Sequence, residues 1–189
     1  MGVCAAACAV SVPPAYTAGC GVTQRQGGVH RLVFIACDYT FTDITDPAEW
    51  AQAITDGDVV ISGALLGQKP KGTATKKKTS SCAPEAVVGY ERSITAQDFN
   101  ADPNYDLGGI AATYRDFAFW NTLMQNSAKY KFGFVTCDQR FYGVFNNFTL
   151  EADQVIPESS TDPMYWDVAV AFSGITLPEP TKLTFIDSL

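Results

Sequence analysis

Residues 31–41 (RLVFIACDYTF) carry apolar side chains on both alternating sets. That is the pattern of a strand covered on both faces. The segment after it reads as a helix over 47–56. Asp46 stands at its N-cap, Pro47 fits the first helical position, Glu49 stands where a capping box takes an acid, and Gly57 ends it. Trp50, Ala53 and Ile54 share one face of that helix. Residues 58–62 (DVVIS) return to strand, and 86–97 read as another. A second helix is predicted over 116–129, with Phe117, Trp120, Met124 and Ala128 as its apolar stripe and Leu123 beside it. Residues 131–138 and 141–152 read as strands. In the second, Tyr142, Val144, Phe148 and Leu150 face one way, and Asn147, Thr149 and Glu151 the other. Residues 164–173 alternate, with Met164, Trp166, Val168, Val170 and Phe172 inward and Asp167 and Ser173 outward. A last strand is expected over 181–187.

These elements predict a mainly β (α+β) fold. The expected architecture is an antiparallel β-sandwich or barrel-like domain over 29–189 with two flanking helices. Residues 1–28 sustain no period of 2 or 3.6 and read as an extended N-terminal arm. One short echo spans the domain: Phe34-x-x-Cys37-Asp38-x-x-Phe41 recurs as Phe134-x-x-Cys137-Asp138-x-x-Phe141. It marks either two equivalent strands or a chance match of two buried ones, and it is too short to establish a duplication.

The most polar stretch, residues 67–84 (GQKPKGTATKKKTSSCAP), reads as a long exposed hairpin or loop. It holds five of the thirteen basic residues, Lys69, Lys71, Lys76, Lys77 and Lys78. The net charge of −7 therefore conceals segregation: the rest of the chain has 8 basic against 20 acidic residues, a net −12. Two readings fit the lysines. One is a solvated edge strand guarded against pairing. The other is a contact arm that meets an acidic surface on a sister subunit. A phosphate-binding P-loop is excluded, because Thr73 stands where the spacing after Gly67 and Gly72 requires lysine.

Composition narrows the chemistry. At 189 residues, 47% apolar and 17% charged, the chain is globular and long enough for one domain with an arm. Its negative balance argues against general or specific nucleic-acid binding. Its single histidine, His30, excludes multi-histidine metal motifs and leaves little room for a catalytic triad. None of the six cysteines forms CxxC. Cys4, Cys8 and Cys20 offer a disulfide within the arm. With His30 they also offer a Cys3His zinc set, though at spacings that match no standard finger. Cys37 and Cys137 lie in apolar runs and read as small buried side chains. Asp43, Asp46, Asp56 and Asp58 cluster around the first helix; capping and turns explain Asp46 and Asp56 without a metal, and the EF-hand spacing is absent. Glu151 and Asp153 lie on one strand face, as do Asp138 and Arg140 near a turn, and nothing in the sequence sets two carboxylates across a cleft as a glycosidase pair requires. GxSxG and GxGxxG are absent from the sequence. The expectation is a non-enzyme with no catalytic, cofactor-binding or metal-binding residues and no cofactor. The apolar run over 4–15 lacks a preceding basic residue and does not read as a secretory signal. No stretch approaches a membrane helix, so no membrane partner is expected.

Several stretches together resemble virion structural proteins of tailed bacteriophages that infect Bacteroidota. They are Gly27-Gly28-Val29-His30-Arg31-Leu32, "CDYTFTDITDPAEWAQAI" (37–54), "LLGQKPKGTATKKKTSSCAPEAVVG" (65–89), "FWNTL" (119–123), "FGFVTCD" (132–138) and "YWDVAVAFSGI" (165–175). The layout is similar to that of tail-tube subunits, in which a small β-sandwich with a flanking helix, a long hairpin and terminal arms assembles into stacked hexameric rings. The resemblance implies a homo-oligomer in contact with other virion proteins, assembled in the host bacterial cytoplasm and resident in the virion. It also implies an electronegative lumen, which suits the acidic bulk of the chain because like charge keeps DNA from adhering. The second helix and the cysteine-bearing arm depart from the tail-tube plan and leave open a capsid auxiliary, decoration or head–tail connector role. A reading of another class is a carbohydrate- or surface-binding β-sandwich module, suggested by an aromatic content of 12%.

Overall fold

The computed structural model describes residues 27–78, 80–81, 84–99, 115–159 and 161–188. Most of the expected arm, with Cys4, Cys8 and Cys20, lies outside the described residues, as does Cys82. The described residues form a mainly antiparallel β structure with two α-helices. Its strands are β1 (Val29–Ala36), β2 (Val59–Ile61), β3 (Leu66–Gln68), β4 (Thr73–Lys77), β5 (Ala86–Asp98), β6 (Tyr130–Thr136), β7 (Arg140–Phe145), β8 (Phe148–Val155), β9 (Tyr165–Gly174) and β10 (Thr181–Lys182). The helices are α1 (Pro47–Asp56) and α2 (Arg115–Asn126). All strands join one open sheet in the order β10-β7-β6-β1-β3-β5-β9-β8, with β2 beside β1 and β4 beside β5.

That sheet is curled. Four strands lie between β7 and β9 in the hydrogen-bonded order, so a flat sheet would hold these two about 24 Å apart. Yet the rings of Phe145 on β7 and Phe172 on β9 are centred 4.4 Å apart. Phe132 on β6 likewise lies 5.4 Å from Phe148 and 5.6 Å from Phe172. The two halves therefore face each other across an inner core, which the buried Trp120 and Leu123 of α2 close.

A second, outer core lies on the far face of β1. Leu32 and Phe34 point into the inner core, whereas Val33 and Ile35 join Trp50 and Ala53 of α1, Phe141, Leu183 and Ile186. The doubly apolar pattern of 31–35 thus reflects two packed faces. Phe141 fits because Gly133 and Gly143, cross-strand partners, form a floor beneath its ring. A Cβ on Gly133 would sit 2.5 Å from that ring. The echo maps onto this arrangement. Val33 pairs directly with Gly133, so the local two-fold of the β1–β6 ladder relates Phe34 to Phe134, and Cys37 and Cys137 each follow the end of their strand. Phe41 stacks on the Trp50 ring at 4.6 Å, and Phe141 meets it edge-on at 5.6 Å.

Helix α1 occupies the predicted residues. Asp46 accepts a hydrogen bond from the Ala48 amide, and Gly57 ends the helix at φ 85°, a conformation glycine adopts without steric cost. Glu49 departs from the capping-box expectation. Its carboxylate reaches past Asp46 to accept from the amides of Thr42 (2.6 Å) and Asp43 (2.8 Å), which ties down the preceding loop.

Other expectations are corrected. β1 stops at Ala36 instead of running to 41, because a turn begins at Cys37. Cys37 and Cys137 are therefore exposed, each one residue past its strand. The helix expected over 116–129 narrows to a single 3-10 turn at Ser127–Lys129. Ala128 consequently leaves the apolar stripe and is exposed. The strand expected over 141–152 breaks at Asn146-Asn147, where the chain turns between the two halves of the sheet. A register shift between Phe132 and Gly133, across from Gly143–Phe145, brings Phe145 into the core and leaves Val144 exposed. Met164 precedes β9 and is exposed rather than inward. The expected strand over 181–187 is only two residues long, and the turn after it buries Leu183 and Ile186.

Candidate assembly surfaces

β5 is thirteen residues long, and β9 pairs with it only as far as Tyr90, opposite Gly174. Its first four residues, Ala86–Gly89, pair with β4 alone. β4 and the head of β5 thus form a two-stranded ribbon that projects past the packed sheet. A lone ribbon is marginally stable in water, and this one is anchored at its base. Arg92 is buried, donates from Nη1 to the Gly174 carbonyl at 2.7 Å and lies 5.0 Å from the Tyr90 ring centre. The loop at 69–72 packs on its stem: a Cβ on Gly72 would fall 2.8 Å from Arg92 Cγ.

The structure distributes the five candidate lysines along this one element. Lys69 and Lys71 lie in the loop at the base, Lys76 and Lys77 in β4, and Lys78 just beyond it. Lys69 is half-buried, the others exposed. Burial, and then the Arg92 charge, lower the Lys69 pKa. Among the described residues no carboxylate forms an ion pair with any of the five or with Arg92. Val87, Val88 and Ile175 expose apolar surface beside them.

The outward face of β5, β9 and β8 carries the other sign. Glu91, Glu151, Asp153 and Asp167 point outward there, among small side chains such as Ser93, Thr95 and Ala171. The only basic residue of β5, β8 and β9, Arg92, points the other way. Asp153 stands directly across from Asp167, a like-charge pairing that costs stability. Sequence reading places Glu151 and Asp153 on one face. It misses the opposition of Asp153 and Asp167, which depends on strand register, and the anchoring role of Arg92.

Other acidic residues are satisfied locally. Asp187 accepts from Gln139 Nε2 at 2.9 Å and lies 3.3 Å from His30 Nε2 and 3.5 Å from Arg31 Nε. Its pKa is lowered, first by the Gln139 hydrogen bond, which outweighs the opposing effect of burial, with smaller contributions from His30 and Arg31. For Asp138 burial pushes the pKa up. Hydrogen bonds from the Thr136 hydroxyl and Arg140 outweigh it, and the net direction is down. Backbone amides of Thr42 and Asp43 lower Glu49. Groups depressed on folding contribute stability above their unfolded pKa, and that contribution is lost as pH falls through the folded one. The urea midpoint is therefore expected to stay level from pH 7 to about 5 and to decline below about 4. A midpoint at pH 3 equal to that at pH 7 would contradict these contacts.

Among the described residues no group of three or more His, Cys, Asp or Glu side chains is arranged to hold a metal ion. A groove of about 540 Å3 between Tyr130, Asn147, Phe148 and Ser173 has no tryptophan in its lining, and Trp50, Trp120 and Trp166 are all buried. No helix of the described residues is long and apolar enough to cross a membrane. Compared with protein-family models and with curated proteins, the chain matches none.

Proposed function

We propose that this chain is a self-assembling structural subunit of a tailed-phage virion, a tail-tube protein whose rings stack around an acidic passage for DNA. The observation that carries the self-assembly reading is the projecting ribbon. It places Lys76, Lys77 and Lys78 beyond the packed sheet, without acidic partners among the described residues. An element so exposed and so charged contributes little to the fold of one chain, but it suits contact with an acidic neighbour. The virion assignment itself rests on the resemblance of the quoted stretches. The −12 balance of the remaining chain supports a wall that repels phosphate.

Electron microscopy of the purified chain tests the reading. Rings or tubes are expected, whereas trimeric or capsid-bound particles would point to the auxiliary role. Strictly monomeric protein at high concentration, together with virions that lack a continuous tube of it, would overturn the proposal. Replacing Lys76, Lys77 and Lys78 together by Gln is expected to weaken assembly while the folding midpoint shifts by no more than about 0.5 kcal/mol. Raising salt should weaken the wild-type assembly in the same way, because exposed charges are screened.

A further inference from the structure

The strands β5, β9 and β8 have a charge polarity along their length. At one end the ribbon carries Lys76, Lys77 and Lys78, with Val87 and Val88 exposed beside them. At the other end Asp153 and Asp167 stand opposite each other and level with Gln97, seven residues along β5 from Tyr90. The separation from Tyr90 is about 24 Å. Ile156, which follows β8, is 69% exposed at that end, and Met164, which precedes β9, is 56% exposed. The ribbon end also holds Glu85 and Glu91, but its five lysines leave it net positive, so the two ends carry net charge of opposite sign, each beside exposed apolar surface.

Building on the self-assembly reading, we infer that copies of this chain join head to tail along the strand axis, with the lysine ribbon of one copy docking on the Asp153–Asp167 pair of the next. Two observations converge on this acceptor. The opposed carboxylates repel each other, and no cation is paired with either among the described residues. An ammonium group placed between them relieves that repulsion in the assembled state only. On the donor side, no carboxylate among the described residues is ion-paired with Arg92 or Lys69. A head-to-tail contact of this kind is heterologous. It does not close on itself in a pair, so it propagates into stacks.

The test compares three variants of the whole chain by sedimentation, electron microscopy and thermal melting. D153N/D167N is expected to fold at least as stably as wild type, because like-charge repulsion is gone, yet to need about tenfold more protein to assemble. D153K/D167K and K76E/K77E/K78E should each fail to assemble alone, and the two mixed in equal amounts should co-assemble. D153K/D167K assembling alone at wild-type concentration would overturn the acceptor assignment while leaving the self-assembly reading intact. Wild type that does not assemble at all would instead defeat the self-assembly reading, and this inference with it.

Discussion

Phe132→Ala is expected to destabilise the fold by about 3–5 kcal/mol. Phe132 is fully buried, and its ring contacts those of Phe34, Phe145, Phe148 and Phe172 at centroid distances between 5.4 and 6.2 Å. Phe34 and Phe145 belong to one half of the curled sheet, Phe148 and Phe172 to the other. Removing the ring opens a cavity where the two halves meet, and neither half relaxes into it without losing its own ladder geometry. Phe132→Leu keeps more of the apolar volume and should cost about 1–2 kcal/mol. Urea denaturation measures both. A loss below 1 kcal/mol for the alanine variant would show that the halves do not share this core.

Trp50→Ala is expected to cost a similar amount by a different route. The ring is fully buried, stacks on Phe41 at 4.6 Å and meets Phe141 edge-on at 5.6 Å and Phe185 at 6.3 Å. Its Nε1 donates to the Ile44 carbonyl at 2.9 Å. Aromatic pairs add about 0.5–1.5 kcal/mol each beyond area burial, so truncation removes both packing and a satisfied polar contact. The damage should be local to the outer core. Native-state hydrogen exchange is expected to accelerate at the α1 amides more than at those of β9. Equal acceleration in both would show the two cores to be one cooperative unit.

Much of this was legible along the chain. Asp46, Pro47 and Gly57 are local signals, and α1 begins and ends where they place it. The alternation over Trp166–Phe172 likewise placed β9, because one face of that strand is buried and the other is not. Local signals failed where a distant contact decided the outcome. Glu49 stands at the capping-box position, yet two amides of the preceding loop outcompete the cap. Phe145 breaks the alternation of its strand because the shifted β6–β7 register turns it into the inner core. Ala128 keeps the helical spacing of its stripe but follows a change from α to 3-10 geometry.

The candidate surfaces divide the same way. Charge segregation onto residues 67–84 is a property of composition and order, so the sequence alone determined that one short element carries five lysines and the remainder a net −12. Only the tertiary structure decided that these lysines sit on a ribbon beyond the sheet. It also decided that Asp153 meets Asp167 at the opposite end, since strand lengths and cross-strand register set both placements. Local patterning acts between residues a few positions apart, whereas register couples β5, β8 and β9 across more than fifty residues of chain. The polarity of the molecule arises from that coupling.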